Sequence, residues 1–218
     1  MQQIKEYKCI LFDLDGTLLD TLDDIKNSIN KILILNNLEP KSREFVRNAV
    51  GNGYKVFIDR CVDTNDVHLK EKILKEYSDD YAHNCDILTK PYPGITELLS
   101  DLKSLNIDAV ILSNKGDDAV KELNKKYFNG LISKAYGVGN GIMPKPDPGL
   151  VNKIIFDMNL SKNEVLYIGD SDVDVKTANN AFVDCISVSW GFRSKEFLLE
   201  NGAKRIIDKP NELLELLR

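Results

Sequence analysis

Histidine occurs twice in this 218-residue chain, cysteine four times and tryptophan once, and no apolar run reaches the roughly 20 residues of a membrane-spanning helix. Each shortage removes a class of function. Cys9, Cys61, Cys85 and Cys185 stand far apart, with no C-x-x-C pair and no histidine beside them, so buried thiols in a reducing compartment are expected rather than a zinc site. His68 and His83 fall on polar stretches and read as surface positions. The opening MQQIKEYKCILFDL lacks the basic, apolar and small-residue order of a signal peptide, which reads as cytoplasmic with no membrane partner. Basic residues are outnumbered, 29 to 34, and the net charge of -5 argues against a nucleic-acid partner. An anionic ligand would need a local pocket of cations, metal and backbone N–H groups.

What remains is an ordinary globular composition, 43% hydrophobic and 29% charged, long enough for one large domain or a core with a smaller appended one. Four segments share one design, apolar first and polar afterwards: CILFDLDGT from residue 9, DAVILSNKG at 108–116, EVLYIGDSD at 164–172 and CISVSWGF at 185–192. Each predicts a buried strand whose carboxyl end delivers polar side chains to a crevice. RIID at 205–208 predicts an edge strand and ELLELLR a closing helix. Between strands, ITELLSDLKSL gathers Ile95, Leu98, Leu99, Leu102 and Leu105 on one helical side, and LVNKIIFDMNL does so with Leu150, Ile154, Ile155 and Met158. The alternation predicts an α/β fold, a Rossmann-like doubly wound parallel sheet covered on both faces.

Residues 21–88 break the alternation. They show no strand pattern and three helical ones, at Ile25, Ile29, Ile32 and Leu33, at Phe45, Val46, Ala49 and Val50, and at Ile73, Leu74, Tyr77 and Tyr81. Asp20 is expected to N-cap the first of these helices, with Thr21 beside it, or else to orient the acidic loop before it. KPYPG marks the return to alternation. The predicted organisation is a catalytic core of residues 1–20 and 89–218 with an inserted α-helical cap domain, residues 21–88, hanging over the crevice as a lid.

Asp13 and Asp15 lie two apart at a strand end, where side chains at i and i+2 share a face. Unit charges about 4 Å apart repel by roughly 4 kcal/mol at an effective dielectric of about 20, which calls for a cation or a shared proton. Asp170, Asp172 and Asp174 follow a second strand in the same way, and parallel strands end at one edge, so acids remote in sequence converge there. An all-oxygen set suits a hard dication, Mg2+ best, because it keeps several waters and binds through a few carboxylates plus substrate phosphate. Ser113, Asn114 and Lys115 end a third strand near a predicted helix N-terminus, a setting for anionic oxygens. Lys145, in a loop stiffened by Pro144, Pro146 and Pro148, offers another cation.

DLDGTLLD at 13–20, LSNK at 112–115, KPDP at 145–148 and GDSDVD at 169–174 resemble, in order and spacing, the four signature motifs of the haloacid dehalogenase superfamily, and the resemblance covers essentially the whole chain. It implies that Asp13 is the nucleophile and a Mg2+ ligand. Asp15 would protonate the leaving oxygen and then activate water, its backbone carbonyl also facing the metal. Thr17, Ser113 and Asn114 would hold the transferring phosphoryl group, with Lys145 neutralising its charge. Asp170 would bind Mg2+ directly, and Asp174 would bind it through water or orient Lys145. Asp172 falls outside the pattern and is expected as a solvated loop residue. The implied reaction removes phosphate from a small phosphorylated metabolite through an aspartyl-phosphate intermediate.

The helical insertion resembles the cap of the superfamily's first subclass. Within it, VGNGYKVFIDRC at 50–61 and SWGFRSKEFLLENGA at 189–203 are similar to the phosphoglycolate phosphatase-like branch. That implies 2-phosphoglycolate as leading substrate, with Gly51, Asn52 and Gly53 either descending on the crevice or serving only as a turn between helices. Arg60 would either meet a substrate carboxylate or stand as a solvated helix charge. Trp190 and Phe192 are expected to pack rather than touch substrate. Asp15 opposes dehalogenase and phosphonatase chemistry, which the superfamily runs without that second aspartate. Sugar-phosphate, nucleotide and pyrophosphate phosphatases and a beta-phosphoglucomutase-like mutase share every core motif and stay open, as does a non-catalytic phosphate-sensing or partner-binding relative. Monomer and homodimer are both open.

Overall fold

The computed structural model describes residues 6–139 and 141–217, so the first five residues of the leader lie outside the described residues. β1 (Cys9–Phe12) is wholly buried, and a short β2 (Leu19–Asp20) follows the acidic turn. Four helices come next: α1 (Leu22–Leu35), α2 (Arg43–Ala49), α3 (Tyr54–Cys61) and α4 (Val67–Asn84). β3 (Lys90–Pro91) closes this excursion by pairing antiparallel with β2. Helices and strands then alternate through α5 (Ile95–Ser104), β4 (Asp108–Gly116), α6 (Asp117–Phe128), β5 (Lys134–Val138) and α7 (Gly149–Asp157). The chain ends with β6 (Val165–Gly169), α8 (Asp172–Ala181), β7 (Asp184–Val188), α9 (Lys195–Glu200), β8 (Ile206–Ile207) and α10 (Asn211–Leu216).

Six strands form one parallel sheet in the order β5-β4-β1-β6-β7-β8. The chain leaves β1 for β4 on one side and later returns to β6 on the other, so the strand order reverses at β1 and opens a crevice at the carboxyl ends there. Phe12 stands level with Ile111 of β4 and Ile168 of β6, which delivers the residues that follow these three to one height. Alternate residues face opposite helical layers. Ile10 and Phe12 join Leu98, Leu99 and Val120 in one core, whereas Cys9 and Leu11 join Val151, Ile154 and Ala178 in the other. The helical insertion shares the first of these cores through Leu22, Ile25, Tyr77 and Tyr81.

Departures from the sequence pattern have local causes. β5 is a half-buried edge strand with one buried position, so it lacks the apolar run that marks the inner strands. The insertion holds four helices, and Arg60 lies in the third of them, α3. Leu105, expected on the buried side of α5, is exposed because the helix stops at Ser104. Phe45 is also exposed. Thr21, not Asp20, is the N-cap residue of α1; Asp20 reaches only Leu22 N, at 3.4 Å. Asp172, expected in a solvated loop, opens α8 and pairs with Lys176 at 2.6 Å, an acid at a helix N-terminus. The four cysteines are free thiols, and both histidines are exposed. Among the described residues no helix is long and apolar enough to cross a membrane.

Candidate active site

Three buried carboxylates meet at the carboxyl ends of β1 and β6. Asp13 follows β1 directly and donates its N–H to Ile168 O at 2.9 Å, which carries the parallel pairing one residue past the strand. Asp170 follows β6, and Asp174 lies in the first turn of α8. One carboxylate oxygen from each of the three lies within 4.8 Å of the others. Two glycines allow this crowding. Gly16 has φ +83°, and a Cβ there would sit 2.3 Å from Asp170 Oδ2; a Cβ on Gly191 would sit 2.3 Å from Asp170 Cβ. Asp170 is held on both oxygens, Oδ1 accepting from Thr17 Oγ1 at 3.2 Å and Oδ2 from Phe192 N at 2.7 Å.

Lys145 brings a cation to this cluster, its Nζ 2.9 Å from Asp13 Oδ1 and 2.7 Å from Asp174 Oδ1. Asp174 Oδ2 accepts from Ser171 N at 3.1 Å and Ser171 Oγ at 2.6 Å, the capping box of α8. Both oxygens of Asp174 are therefore engaged by protein donors. On Asp13, Oδ1 takes Lys145 and the Leu14 N–H at 2.7 Å, while no described residue bonds to Oδ2. Asn114 fixes the lysine loop: its Oδ1 accepts from Lys145 N at 2.7 Å, and its Nδ2 donates to Lys145 O at 3.1 Å and to Gly51 O at 3.0 Å. Ser113 is buried beside it at the end of β4. Burial pushes the Asp13 carboxyl well above the usual range against the pull of Lys145, and burial with the Asp174 charge raises Asp170 from 3.8 to about 7. Burial opposes charge on Lys145 as well, but Asp13 and Asp174 hold its ammonium well above the ordinary lysine value.

Asp15 turns away from the cluster. Its Oδ1 accepts from Lys115 Nζ at 2.9 Å and from Thr21 Oγ1 at 2.7 Å. Lys115 is buried, donates to Tyr81 OH at 2.6 Å and lies 4.2 Å from the centroid of that ring. Lys115 therefore neutralises Asp15 under a roof supplied by α4, instead of joining Ser113 and Asn114 in a phosphate cradle. Tyr77 stacks on Tyr81 with centroids 5.5 Å apart, and Tyr54 meets Tyr77 edge-on at 5.3 Å. A cavity of about 50 Å³ lies between Asp15, Asn114 and Asp170 below and Gly51, Gly53 and Tyr54 above. Asn52 does not line it. Asn52 and Arg60 line a neighbouring groove that shares Phe192 and Arg193 with the cavity, and Arg60 Nη1 donates to Ala49 O at 2.7 Å.

Residues 10–188 match the haloacid dehalogenase-like hydrolase family. The chain belongs to that family. A phosphoglycolate phosphatase from Pseudomonas putida is 29% identical to it over 215 residues, covering 95% of this chain and 78% of that protein. A phosphoglycolate phosphatase from Vibrio parahaemolyticus is 28% identical over 227 residues, covering 98% and 97%. A crystal structure from Lactobacillus delbrueckii subsp. bulgaricus superposes with a TM-score of 0.91 at 29% identity, covering 97% of this chain and 98% of that one.

In this haloacid dehalogenase-like hydrolase the acidic cluster has the chemistry to hold Mg2+. Three buried carboxylates face one ammonium, two of the three are pushed up by burial, and a dication would reverse that push. The donors are oxygen only, as a hard cation requires. Other contributors escaped the sequence. Thr21 meets Asp15 across the acidic turn, and Lys115 meets Tyr81 through a tertiary contact that no local pattern signals. Trp190 donates Nε1 to Thr17 O at 3.0 Å, and Phe192 lines the cavity, roles that the run SWGF conveys only as packing.

Proposed function

We propose that this hydrolase is a Mg2+-dependent phosphatase of small phosphomonoesters, with 2-phosphoglycolate as leading substrate and an aspartyl-phosphate intermediate. The observation that carries the reading is the asymmetry of Asp13, whose Oδ1 is engaged by Lys145 and Leu14 N–H while Oδ2 is left for attack. In the first half-reaction Oδ2 bonds to phosphorus as the ester oxygen departs with a proton from Asp15. In the second, water attacks the same phosphorus and gives a proton to the Asp15 carboxylate, and the bond between Asp13 and phosphorus breaks to release inorganic phosphate. Lys145 and Ser113 offset charge on the phosphoryl oxygens. Thr17 and Asn114 act one step back, Thr17 by holding Asp170 and Asn114 by clamping the Lys145 backbone. Mg2+, held by Asp13, Asp170 and the Asp15 backbone carbonyl, would supply further positive charge for the same oxygens. Asp174 serves it indirectly, through Lys145.

The cavity supports a small substrate, since about 50 Å³ accommodates a few waters whereas drug-sized ligands take roughly 300 Å³ or more. Gly51 and Gly53, above it, would meet the non-phosphate end. Asn52 and Arg60 line the neighbouring groove, and Arg60 is engaged by the Ala49 carbonyl. The relatives from Pseudomonas putida and Vibrio parahaemolyticus carry the name of the proposed activity. The test is a phosphate-release screen over about a hundred metabolites with and without Mg2+, ranked by kcat/KM. No release from any of them overturns the phosphatase; a higher kcat/KM for pyrophosphate, a nucleotide or a sugar phosphate overturns the substrate.

A further inference from the structure

The stretch after β7 touches both the acidic cluster and the helical insertion, and the contacts converge on Phe192. Its N–H donates to Asp170 Oδ2 at 2.7 Å, while its carbonyl accepts from Nε of Arg47, in α2 of the insertion, at 2.6 Å. Arg47 Nη2 also donates to Gly191 O at 3.1 Å. The next residue returns the contact: Arg193 donates Nη1 to Arg47 O at 2.6 Å and Nη2 to Val50 O at 2.7 Å, with Asn48 O at 3.4 Å. These carbonyls lie at the C-terminus of α2, where intrahelical partners run out and the helix dipole is negative. The same stretch reaches the other oxygen of Asp170 by relay, since Trp190 Nε1 holds Thr17 O and Thr17 Oγ1 donates to Asp170 Oδ1.

We propose that Arg47 and Arg193 are positioning residues that couple seating of the helical insertion to metal binding at Asp170. The inference rests on the reading of Asp170 as a Mg2+ ligand given above. With the insertion seated, the crossed arginines fix residues 190–193, and those residues fix both oxygens of the carboxylate. A ligand already held in place gives up less freedom when it takes the ion, so affinity rises. Lifting the insertion breaks charge-assisted bonds to the Phe192 and Gly191 carbonyls and frees the amide on Asp170. By linkage, the ion favours the seated state by the same factor.

Trp190 is the only tryptophan in the chain and sits on this stretch, so a fluorescence titration of the full-length protein with Mg2+ reads the site without turnover, and calorimetry gives Kd independently. Arg47→Ala and Arg193→Ala are each expected to weaken Mg2+ binding by roughly 10- to 100-fold. Arg47→Lys keeps the charge but not the forked donors, and recovers part of the loss. Arg43→Ala removes an exposed arginine of the same helix, paired with Asp23 at 2.9 Å, and leaves affinity within about twofold. Circular dichroism establishes that each variant is folded, and Arg47→Lys and Arg193→Lys decide the matter if an alanine variant is not. Arginines that only hold the insertion down would lower Tm and leave Kd alone. Unchanged Kd in folded variants overturns the coupling while leaving the metal reading intact; absence of Mg2+ binding by the wild type overturns both.

Discussion

The ammonium of Lys145 stands 2.7 Å from Asp174 Oδ1, with 2% and 0% of the two side chains exposed. Asp174 spends its other oxygen on Ser171, so the helix cap of α8 and the active-site cation are held by one carboxylate. Removing one partner of a buried pair costs about 3–5 kcal/mol, because the other is left half-compensated. Asp174→Ala is expected to lower the unfolding free energy by about that amount and to abolish turnover as Lys145 loses its bearing. Asp174→Asn, which keeps the shape and one acceptor, should lose less stability. Urea denaturation measures both, and a change below about 1 kcal/mol for the alanine variant would mean that the pair carries little of the fold.

The parts of this site legible in the sequence are those set by sheet geometry. Parallel strands end at one edge, so Asp13 and Asp170 meet once β1 and β6 are recognised as neighbours, and both strands announce themselves by unbroken apolar runs. β5 announces nothing, because an edge strand with one buried position needs no such run. Lys115 was illegible for a different reason. Ser113 and Lys115 would share a face in a regular strand, but the register of β4 shifts between Leu112 and Gly116, and alternation stops predicting direction there. The crossed arginines were illegible because each bonds to backbone carbonyls, which every sequence has.

Lys115→Met replaces a buried ammonium by an apolar chain of similar length. Asp15 would then keep only Thr21 among its described side-chain partners, and Tyr81 OH would lose its donor. The expected result is a fall in kcat smaller than that of Asp15→Asn, for which the loss of acid and base chemistry predicts about 10²- to 10⁴-fold. Tyr81→Phe keeps the stacked ring and loses one hydrogen bond, costing about 1 kcal/mol of stability. Steady-state kinetics on an aryl phosphate, with urea melts, checks the series. Wild-type kcat in Lys115→Met would remove the lysine from any part in positioning Asp15.

The raised Asp170 carboxyl makes a prediction about pH. In the unfolded chain it titrates near 3.8 and in the folded, metal-free protein near 7, so between these values the folded state holds a proton that the unfolded state has released. This contribution makes stability of the metal-free protein fall as pH rises from about 4 to about 7, and level off above. Asp13 is pushed in the same direction by burial. A bound dication favours the carboxylates, so the rise in Tm on adding Mg2+ should be larger at pH 8 than at pH 5, and Asp170→Asn should shrink the difference. Scanning fluorimetry across this range is the measurement. Equal Mg2+ shifts at both pH values would contradict the assignment of Asp170 to the ion.

Gly16 and Gly130 form a matched pair that separates backbone strain from steric exclusion. Their φ angles are +83° and +77°, so an alanine at either position carries a similar left-handed cost of about 1–2 kcal/mol. Around Gly130 a Cβ meets nothing within 4 Å, whereas at Gly16 it would sit 2.3 Å from Asp170 Oδ2. Gly130→Ala should therefore lose stability alone, with Mg2+ affinity and kcat/KM unchanged. Gly16→Ala should lose a similar amount from the backbone and in addition drive Asp170 off its position, weakening Mg2+ binding by roughly tenfold or more, the scale on which support of a metal ligand is felt. Calorimetric titration of the two variants with Mg2+, alongside their melts, isolates the difference. Equal metal affinities would mean that the carboxylate yields to the added methyl at no functional cost, and that the closeness of the acidic turn to Asp170 is packing rather than positioning.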